Sequence, residues 1–167
     1  YVARHYGLPT VGWVGKDKGA KNIAAFMATY QKLDHHSALF HMVVPKKRGG
    51  PVKKREGMRA FYLQTDFLVC TSWHEGTPNP ALEAAACGVP LITTRVGNTP
   101  ELIREGETGW FIDPTAESLI ACVERLQHLE PHEYRQMSLA IRAEVEKAWT
   151  WKIRAEAYRK ALEAVCG

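Results

Sequence analysis

Short apolar runs alternate along the chain with longer segments in which apolar residues recur every three or four positions. Five apolar runs have the length of a buried strand, and they lie at residues 11–15, 38–44, 67–70, 89–93 and 109–112. The segments between them show helical spacing, as in Ile23, Phe26, Met27 and Tyr30. Strands that alternate with helices form a parallel sheet with helices on both faces, so the pattern predicts a doubly wound, Rossmann-like α/β fold.

Two pairs of an Asn or Asp with a proline mark the predicted starts of helices. Asn79 followed by Pro80 is typical of an N-cap residue with proline at the first helical position. Asp113 followed by Pro114 repeats this pattern. A further helix is predicted to open at Pro131, and a last amphipathic helix follows it.

We expect three segments in the chain. They are a linker or the end of a preceding segment at residues 1–9, a Rossmann-like domain at 10–148 and a C-terminal amphipathic helix at 149–167. A chain of 167 residues, 46% of them apolar, can bury the core of one domain but is too short for two catalytic domains. Because the chain begins with Tyr1 in place of methionine, we expect a fragment of a longer protein.

Composition and charge exclude several classes of protein. The 22 basic and 18 acidic residues give a net charge of +4, which is too small for a dedicated nucleic-acid binder, so no nucleic-acid partner is predicted. No apolar run approaches the roughly 18 residues of a membrane-spanning helix. The four cysteines are widely spaced, which favours a reduced, cytoplasmic location over a disulfide scaffold. The pair His35 and His36 lacks a carboxylate or cysteine at ligand spacing, so no metal site is predicted.

The segment between Val44 and Gly57 stands apart by its charge. Its sequence, PKKRGGPVKKRE, contains two basic triplets around Gly-Gly-Pro. The simpler interpretation is a solvated, mobile loop over residues 46–55. The alternative is contact with an anionic membrane or with a phosphorylated partner. Contact with a membrane would place the protein at the inner membrane surface.

Candidate chemistry falls in the loops that follow the strands, because ligands of parallel sheets bind at the carboxyl ends of the strands. The first such loop, GKDKGAKN, carries Lys16, Lys18 and Lys21 on a glycine-containing turn into a helix. Backbone N–H groups, a helix dipole and lysine charges at such a turn favour a phosphate ligand. The glycine spacing matches neither a P-loop nor G-x-G-x-x-G, and a solvated lysine turn would show the same pattern.

Two glutamates frame the loop after the third predicted strand. Glu75 lies in the loop, and Glu83 lies eight positions later, in the predicted first turn of the next helix. A carboxylate at that place can accept two hydrogen bonds from a vicinal diol such as a ribose. Gly76 lets the backbone approach a ligand closely. Taken singly, Glu83 is also explained as a helix-dipole carboxylate and Glu75 as an acidic residue of a surface loop.

The sequence around this pair resembles the donor-binding, C-terminal half of the retaining glycosyltransferases of family 4, which have the GT-B fold. Their Glu-x7-Glu motif is matched by Glu75, the residues GTPNPAL and Glu83, and the stretches ALEAAACGVP, VGNTPELI and ETGWFID follow in the family's order. Gly15 and Lys21 match the phosphate-binding turn of the family. Lys16 stands where the family has arginine, which keeps the charge but loses the bidentate fork.

The resemblance, which spans residues 11–160, implies that the domain binds a UDP-, GDP- or ADP-sugar and serves retaining, metal-independent hexosyl transfer. In that reaction Lys21 and Lys16 would neutralise the leaving diphosphate. Glu75 would orient the donor sugar, and Glu83 would hold the ribose. The remaining candidates for substrate binding around the same crevice are His74, Gly15, Gly76, Thr77, Pro78 and Asn79.

The same resemblance implies an acceptor-binding, N-terminal GT-B domain, for which this chain leaves no room. We therefore expect the isolated chain to be inactive in sugar transfer. Two alternatives remain: a non-catalytic nucleotide-sugar-binding module and a UDP-sugar 2-epimerase with the GT-B fold. Retention of Lys21 and both glutamates argues against a decayed module, and the spacing from Glu75 to Glu83 favours a transferase over an epimerase.

Overall fold

The computed structural model describes residues 7–16, 18–33, 36–44 and 55–166, and these form a five-stranded sheet with helices around it. The strands are β1 (Thr10–Val14), β2 (Leu39–Val43), β3 (Phe67–Cys70), β4 (Leu91–Thr93) and β5 (Gly109–Phe111). Their order is β2-β1-β3-β4-β5, and every neighbouring pair is parallel.

The strands are connected and followed by helices. In the described residues these are α1 (Ile23–Lys32), α2 (Arg55–Leu63), α3 (Asn79–Ala86), α4 (Thr99–Leu102), α5 (Ala116–Leu126), α6 (Pro131–Ala148) and α7 (Trp151–Cys166). A 3-10 turn, Gly19–Lys21, precedes α1.

Separate apolar clusters join the helices to the two faces of the sheet. On one face, Phe26 of α1 and Leu119 of α5 pack in the same cluster as Phe67 of β3. On the other face, Ala84 of α3 packs in the same cluster as Leu68 of β3. Because Phe67 and Leu68 are consecutive, their side chains point to opposite faces, as the geometry of a strand requires. The predicted α/β fold with helices on both faces is therefore confirmed.

Two helix starts differ from the prediction. Helix α3 begins at Asn79 itself, with Pro78 in the N-cap position, so Asn79 is not the N-cap. Helix α5 begins at Ala116 and is capped by Thr115, whose side chain accepts a hydrogen bond from the Ser118 backbone N–H at 3.2 Å. Thr115 has the extended backbone of an N-cap and offers its hydroxyl to a free amide of the first turn, so it takes the place predicted for the aspartate.

Several predictions fall on residues that the structure does not describe. Residues 45–54, which hold most of the basic segment, lie outside the described residues, as do His35 and residues 1–6. The division into linker, domain and C-terminal helix stays a prediction as well. Within the described part of the chain, no helix has both the length and the apolar character needed to cross a membrane.

The strand order places a crevice next to the predicted chemistry. The chain adds β2 on one side of β1 and adds β3, β4 and β5 on the other, so the order reverses between β1 and β3. The connections that leave β1 and β3 then run to opposite faces of the sheet, which opens a crevice at the carboxyl ends of these two strands. The lysine turn follows β1, and the loop with the first glutamate follows β3.

Candidate functional site

Lys21 and Glu75 meet at this crevice as an ion pair. Lys21 ends the 3-10 turn after β1, and its Nζ contacts Oε1 of Glu75 in the loop after β3. The two side chains are only 24% and 13% exposed, so much of the pair is shielded from solvent. The Ser72 hydroxyl donates a hydrogen bond to the same carboxylate oxygen at 2.8 Å. The fold thus joins two of the predicted catalytic residues that lie far apart in the sequence.

Hydrogen bonds from the loop after β3 hold the lysine turn in place. The Thr71 hydroxyl lies 3.1 Å from the carbonyl oxygen of Lys21 and 2.9 Å from that of Asn22, so it can donate to either. The Trp73 backbone N–H donates to the Ala20 carbonyl at 2.9 Å. Asn22 has a left-handed backbone with φ +46°, a conformation that asparagine tolerates better than most residues, and it directs the chain into α1.

Gly15 and Lys16 stand at the start of the lysine turn. Gly15 is buried, and a Cβ at this position would lie 2.6 Å from the Trp13 ring. Packing against the tryptophan therefore already requires a glycine here, whether or not a ligand binds. Lys16 is exposed to solvent. A role of either residue in binding diphosphate stays a prediction.

Glu83 is held by a tyrosine that the sequence analysis did not single out. Because α3 begins at Asn79, Glu83 is its fifth residue and lies in the second turn, not in the predicted first turn. The hydroxyl of Tyr62 in α2 donates a hydrogen bond to Oε2 of Glu83 at 2.7 Å. Burial, together with the neighbouring carboxylate, raises the pKa of Tyr62 well above its ordinary value. Tyr62 therefore stays protonated and remains a donor. In the sequence it is one apolar-face residue of an amphipathic helix, and nothing there signals this contact.

A cavity of about 910 Å³ opens beside Glu83. The predicted site residues that line it are Gly76, Thr77, Asn79 and Glu83. Its far side is lined by Trp149 and by Arg154, whose guanidinium carbon lies 3.6 Å from the centre of the Trp149 ring. Pro78 is buried and lines a separate small pocket together with Lys21. His74 is exposed and lines neither of these two spaces.

The loop between β4 and α4 also contributes to this cavity, through Gly97 and Asn98. Gly97 has φ +53°, and a Cβ there would lie 2.0 Å from the carbonyl oxygen of Gly76. Glycine is therefore needed for the two loops to touch. Asn98 is 5% exposed, and among the described residues its side-chain nitrogen and oxygen have no hydrogen-bond partner. In the sequence the two residues form a Gly-Asn pair after a strand, and this pair alone indicates no individual role for either residue.

A parallel sheet of this order, with a lysine turn after β1 and two glutamates after β3, is the arrangement of a glycosyltransferase domain of the GT-B type. The family model described as glycosyl transferases group 1 matches residues 13–128. The chain belongs to this family.

This chain covers only a small part of the length of its curated relatives. N-acetyl-alpha-D-glucosaminyl L-malate synthase from Bacillus anthracis is 38% identical over 60 residues, which are 36% of this chain and 16% of that protein. GDP-mannose-dependent alpha-(1-6)-phosphatidylinositol monomannoside mannosyltransferase from Mycolicibacterium smegmatis is 34% identical over 80 residues, which are 48% of this chain and 21% of that protein.

Solved structures share the fold over nearly the whole chain. The C-terminal domain of a glycosyl transferase group 1 family protein from Francisella tularensis superimposes with a TM-score of 0.67 at 19% identity, covering 87% of this chain and 88% of that one. HepE from Anabaena, solved in complex with UDP and glucose, gives a TM-score of 0.76 at 12% identity, covering 95% of this chain and 49% of that one. This chain therefore spans about half of the HepE chain.

Proposed function

We propose that this chain is the donor-binding domain of a retaining, metal-independent glycosyltransferase that transfers a hexose from a nucleotide-diphosphate sugar. The observation that carries the proposal is the ion pair between Lys21 and Glu75 at the point where the strand order reverses. It puts a cation and a hydrogen-bond acceptor side by side where parallel sheets bind ligands. The second glutamate of the motif, Glu83, lines the cavity next to this loop.

Lys21 is the proposed partner of the diphosphate. When the bond between the anomeric carbon and the diphosphate breaks, negative charge grows on the leaving oxygen. A cation in a shielded crevice stabilises that charge more than a cation in open water does. Lys21 is held at the turn by the contacts of Thr71 with the backbone, and Lys16 on the same turn would add a second positive charge. These two lysines would take the place of a metal ion.

Glu75 is the proposed partner of the sugar. Its carboxylate already accepts hydrogen bonds from Ser72 and from Lys21, and a carboxylate has about four acceptor positions in all. The free positions can accept hydrogen bonds from sugar hydroxyls and orient the ring. The neighbouring Gly76 and Thr77 are exposed along the cavity wall, where their backbone can approach the donor. We assign neither glutamate as a nucleophile.

Glu83 is the proposed partner of the ribose diol. Its carboxylate is exposed toward the cavity, and Tyr62 takes up one acceptor position on Oε2. The other positions suffice for two hydroxyls of a ribose.

We further propose that the acceptor binds on a separate domain. HepE is about twice as long as the stretch that this chain matches, whereas the Francisella tularensis C-terminal domain is matched over most of its length.

The four free cysteines support a reduced, cytoplasmic compartment for the whole protein.

Titration calorimetry of the chain with UDP, GDP, ADP and the three nucleosides tests the donor site. We expect one diphosphate to bind with a dissociation constant roughly in the micromolar to millimolar range and its nucleoside to bind much more weakly. Absence of binding by all three diphosphates would contradict the proposal.

Two further measurements use the longer protein. The anomeric configuration of the glycoside, read by NMR, separates retention from inversion. Release of free sugar from the donor separates an enzyme from a sensor.

A further inference from the structure

The contact between Tyr62 and Glu83 links the buried interior to the proposed ribose site. Tyr62 is 2% exposed and packs edge-on against Phe61, with 5.5 Å between ring centroids. Its hydroxyl reaches Glu83 Oε2 at 2.7 Å, an ordinary distance for a hydrogen bond from a hydroxyl to a carboxyl oxygen. The two residues come from different helices, α2 and α3, on the same face of the sheet.

The two partners of this hydrogen bond differ in mobility. The tyrosine ring is fixed by packing, so its hydroxyl occupies one place. The glutamate is exposed and would otherwise sample several rotamers, because its side chain has three rotatable bonds. Among the described residues, Tyr62 is the hydrogen-bond donor found on the Glu83 side chain. The rigid partner therefore sets the direction of the mobile one.

We infer that Tyr62 is a positioning residue, which holds the Glu83 carboxylate in the orientation that accepts the two ribose hydroxyls; this inference rests on the proposed function of Glu83. A carboxylate that is oriented in advance loses less conformational freedom when the ligand binds, so its hydrogen bonds yield more affinity. The tyrosine hydroxyl uses one acceptor position on Oε2 and leaves Oε1 to the ligand.

The variant Tyr62→Phe removes the hydroxyl and keeps the ring. The readout is the ratio of two dissociation constants, that of the 2′,3′-dideoxynucleoside diphosphate divided by that of the ribonucleoside diphosphate, measured for the uridine, guanosine and adenosine pairs. A general loss of structure weakens the binding of both ligands alike and leaves this ratio unchanged. Loss of the positioning contact weakens only the binding of the ribonucleotide. We expect Tyr62→Phe to lower the ratio about fivefold for the nucleotide that binds best.

Tyr134→Phe is the matched control, because Tyr134 is equally buried but packs against Phe67 in the cluster on the other face. We expect its ratio to equal that of the unmodified chain. In the background of Glu83→Ala, Tyr62→Phe should change the ratio no further, since the effect passes through the carboxylate.

The outcomes separate this inference from the function on which it rests. If Glu83→Ala lowers the ratio and Tyr62→Phe does not, Tyr62 is not a positioning residue, and the ribose role of Glu83 stands. If Glu83→Ala leaves the ratio unchanged, both ideas are overturned. If Tyr62→Phe lowers the ratio even in the Glu83→Ala background, the tyrosine acts by another route and the inference fails.

Discussion

At the scale of single residues, the two glutamates of the motif are held by different partners. Glu75 is paired with a lysine that the preceding turn supplies, and Glu83 is hydrogen-bonded by a buried tyrosine. The two acidic residues therefore have different electrostatic surroundings. Glu75 is paired with a cationic side chain, whereas Glu83 is hydrogen-bonded by a neutral hydroxyl and lines a cavity. This difference fits the proposed roles toward the sugar and the ribose.

Replacing Glu83 with alanine is expected to weaken nucleotide binding by about 1.5–3 kcal/mol, the value of hydrogen bonds to a charged group. The same change leaves the buried Tyr62 hydroxyl without its partner, so the free energy of unfolding should fall by about 1 kcal/mol. The double variant Glu83→Ala/Tyr62→Phe removes both polar groups and should recover most of that stability without recovering binding. Calorimetry and urea unfolding measure the two effects. Unchanged nucleotide affinity would rule out the ribose role.

Replacing Lys21 with alanine should weaken binding of the nucleoside diphosphate by roughly 10- to 100-fold. Binding of the nucleoside should stay nearly unchanged, because the lysine contacts the phosphate groups and not the base. Lys18→Ala is the matched control, since Lys18 lies on the same turn and carries the same charge but is exposed and, unlike Lys16 and Lys21, is not proposed to contact the diphosphate. Its effect on diphosphate binding should stay within about threefold, as screening weakens exposed charges. An equal loss for nucleoside and diphosphate in Lys21→Ala would show that the turn does not bind phosphate.

At the scale of elements, the site depends on loops that touch one another. The loop after β3 is bonded to the lysine turn through Thr71 and Trp73, and it is contacted from the other side by Gly97 of the loop after β4. Three strand ends thus support one loop. The position of the first glutamate therefore follows from sheet order as much as from its own sequence.

Replacing Gly97 with alanine tests this support. A Cβ would meet the Gly76 carbonyl oxygen at 2.0 Å, and φ of +53° is unfavourable for alanine, so we expect a loss of about 2–4 kcal/mol in the free energy of unfolding. Gly106→Ala is the control, because φ is +79° there but no atom lies within 4 Å of the added Cβ. It should cost only about 1–2 kcal/mol. Equal losses in urea unfolding would mean that the contact between the loops is not tight.

At the scale of the whole molecule, the described residues make one sheet with two apolar clusters and a crevice along one edge. Helix α7 has no buried residue, and Trp151 at its start is 88% exposed. Among the described residues, the cavity beside Glu83 is lined by loops after β3 and β4 and by residues of helices that include Arg154 of α7. We propose that the acceptor hydroxyl is positioned by a separate domain and not by residues of this chain.

We expect the chain to fold and bind nucleotide without transferring sugar. Water in an open crevice weakens the charged contacts that stabilise a leaving diphosphate, and an acceptor hydroxyl that is not positioned attacks slowly. The assay incubates the chain with its best nucleotide sugar and with acceptors from a cell extract, and detects glycosides by mass spectrometry. A full-length member of the family serves as the positive control. Robust glycoside formation by the chain alone would show that acceptor binding resides in this domain.

The sequence by itself determined the order and type of the elements and the turns that carry Lys21 and Glu75. These features depend on local properties: the period of apolar residues, the proline signals and the rule that parallel sheets bind ligands at strand ends. Even so, local signals misplaced two helix starts by one or two residues. At α5 the reason is that the N-cap is the residue whose side chain reaches a free amide of the first turn, and Thr115 does so.

Only the tertiary structure decided which distant residues meet. The ion pair of Lys21 with Glu75, the hydrogen bond of Tyr62 to Glu83 and the approach of Gly97 to Gly76 each join different elements. Such contacts depend on strand order and on how helices pack over the sheet, and the spacing of residues along one element carries no information about either. A buried tyrosine and a core phenylalanine therefore look alike in the sequence, and they differ only once a carboxylate from another helix lies within reach of the hydroxyl.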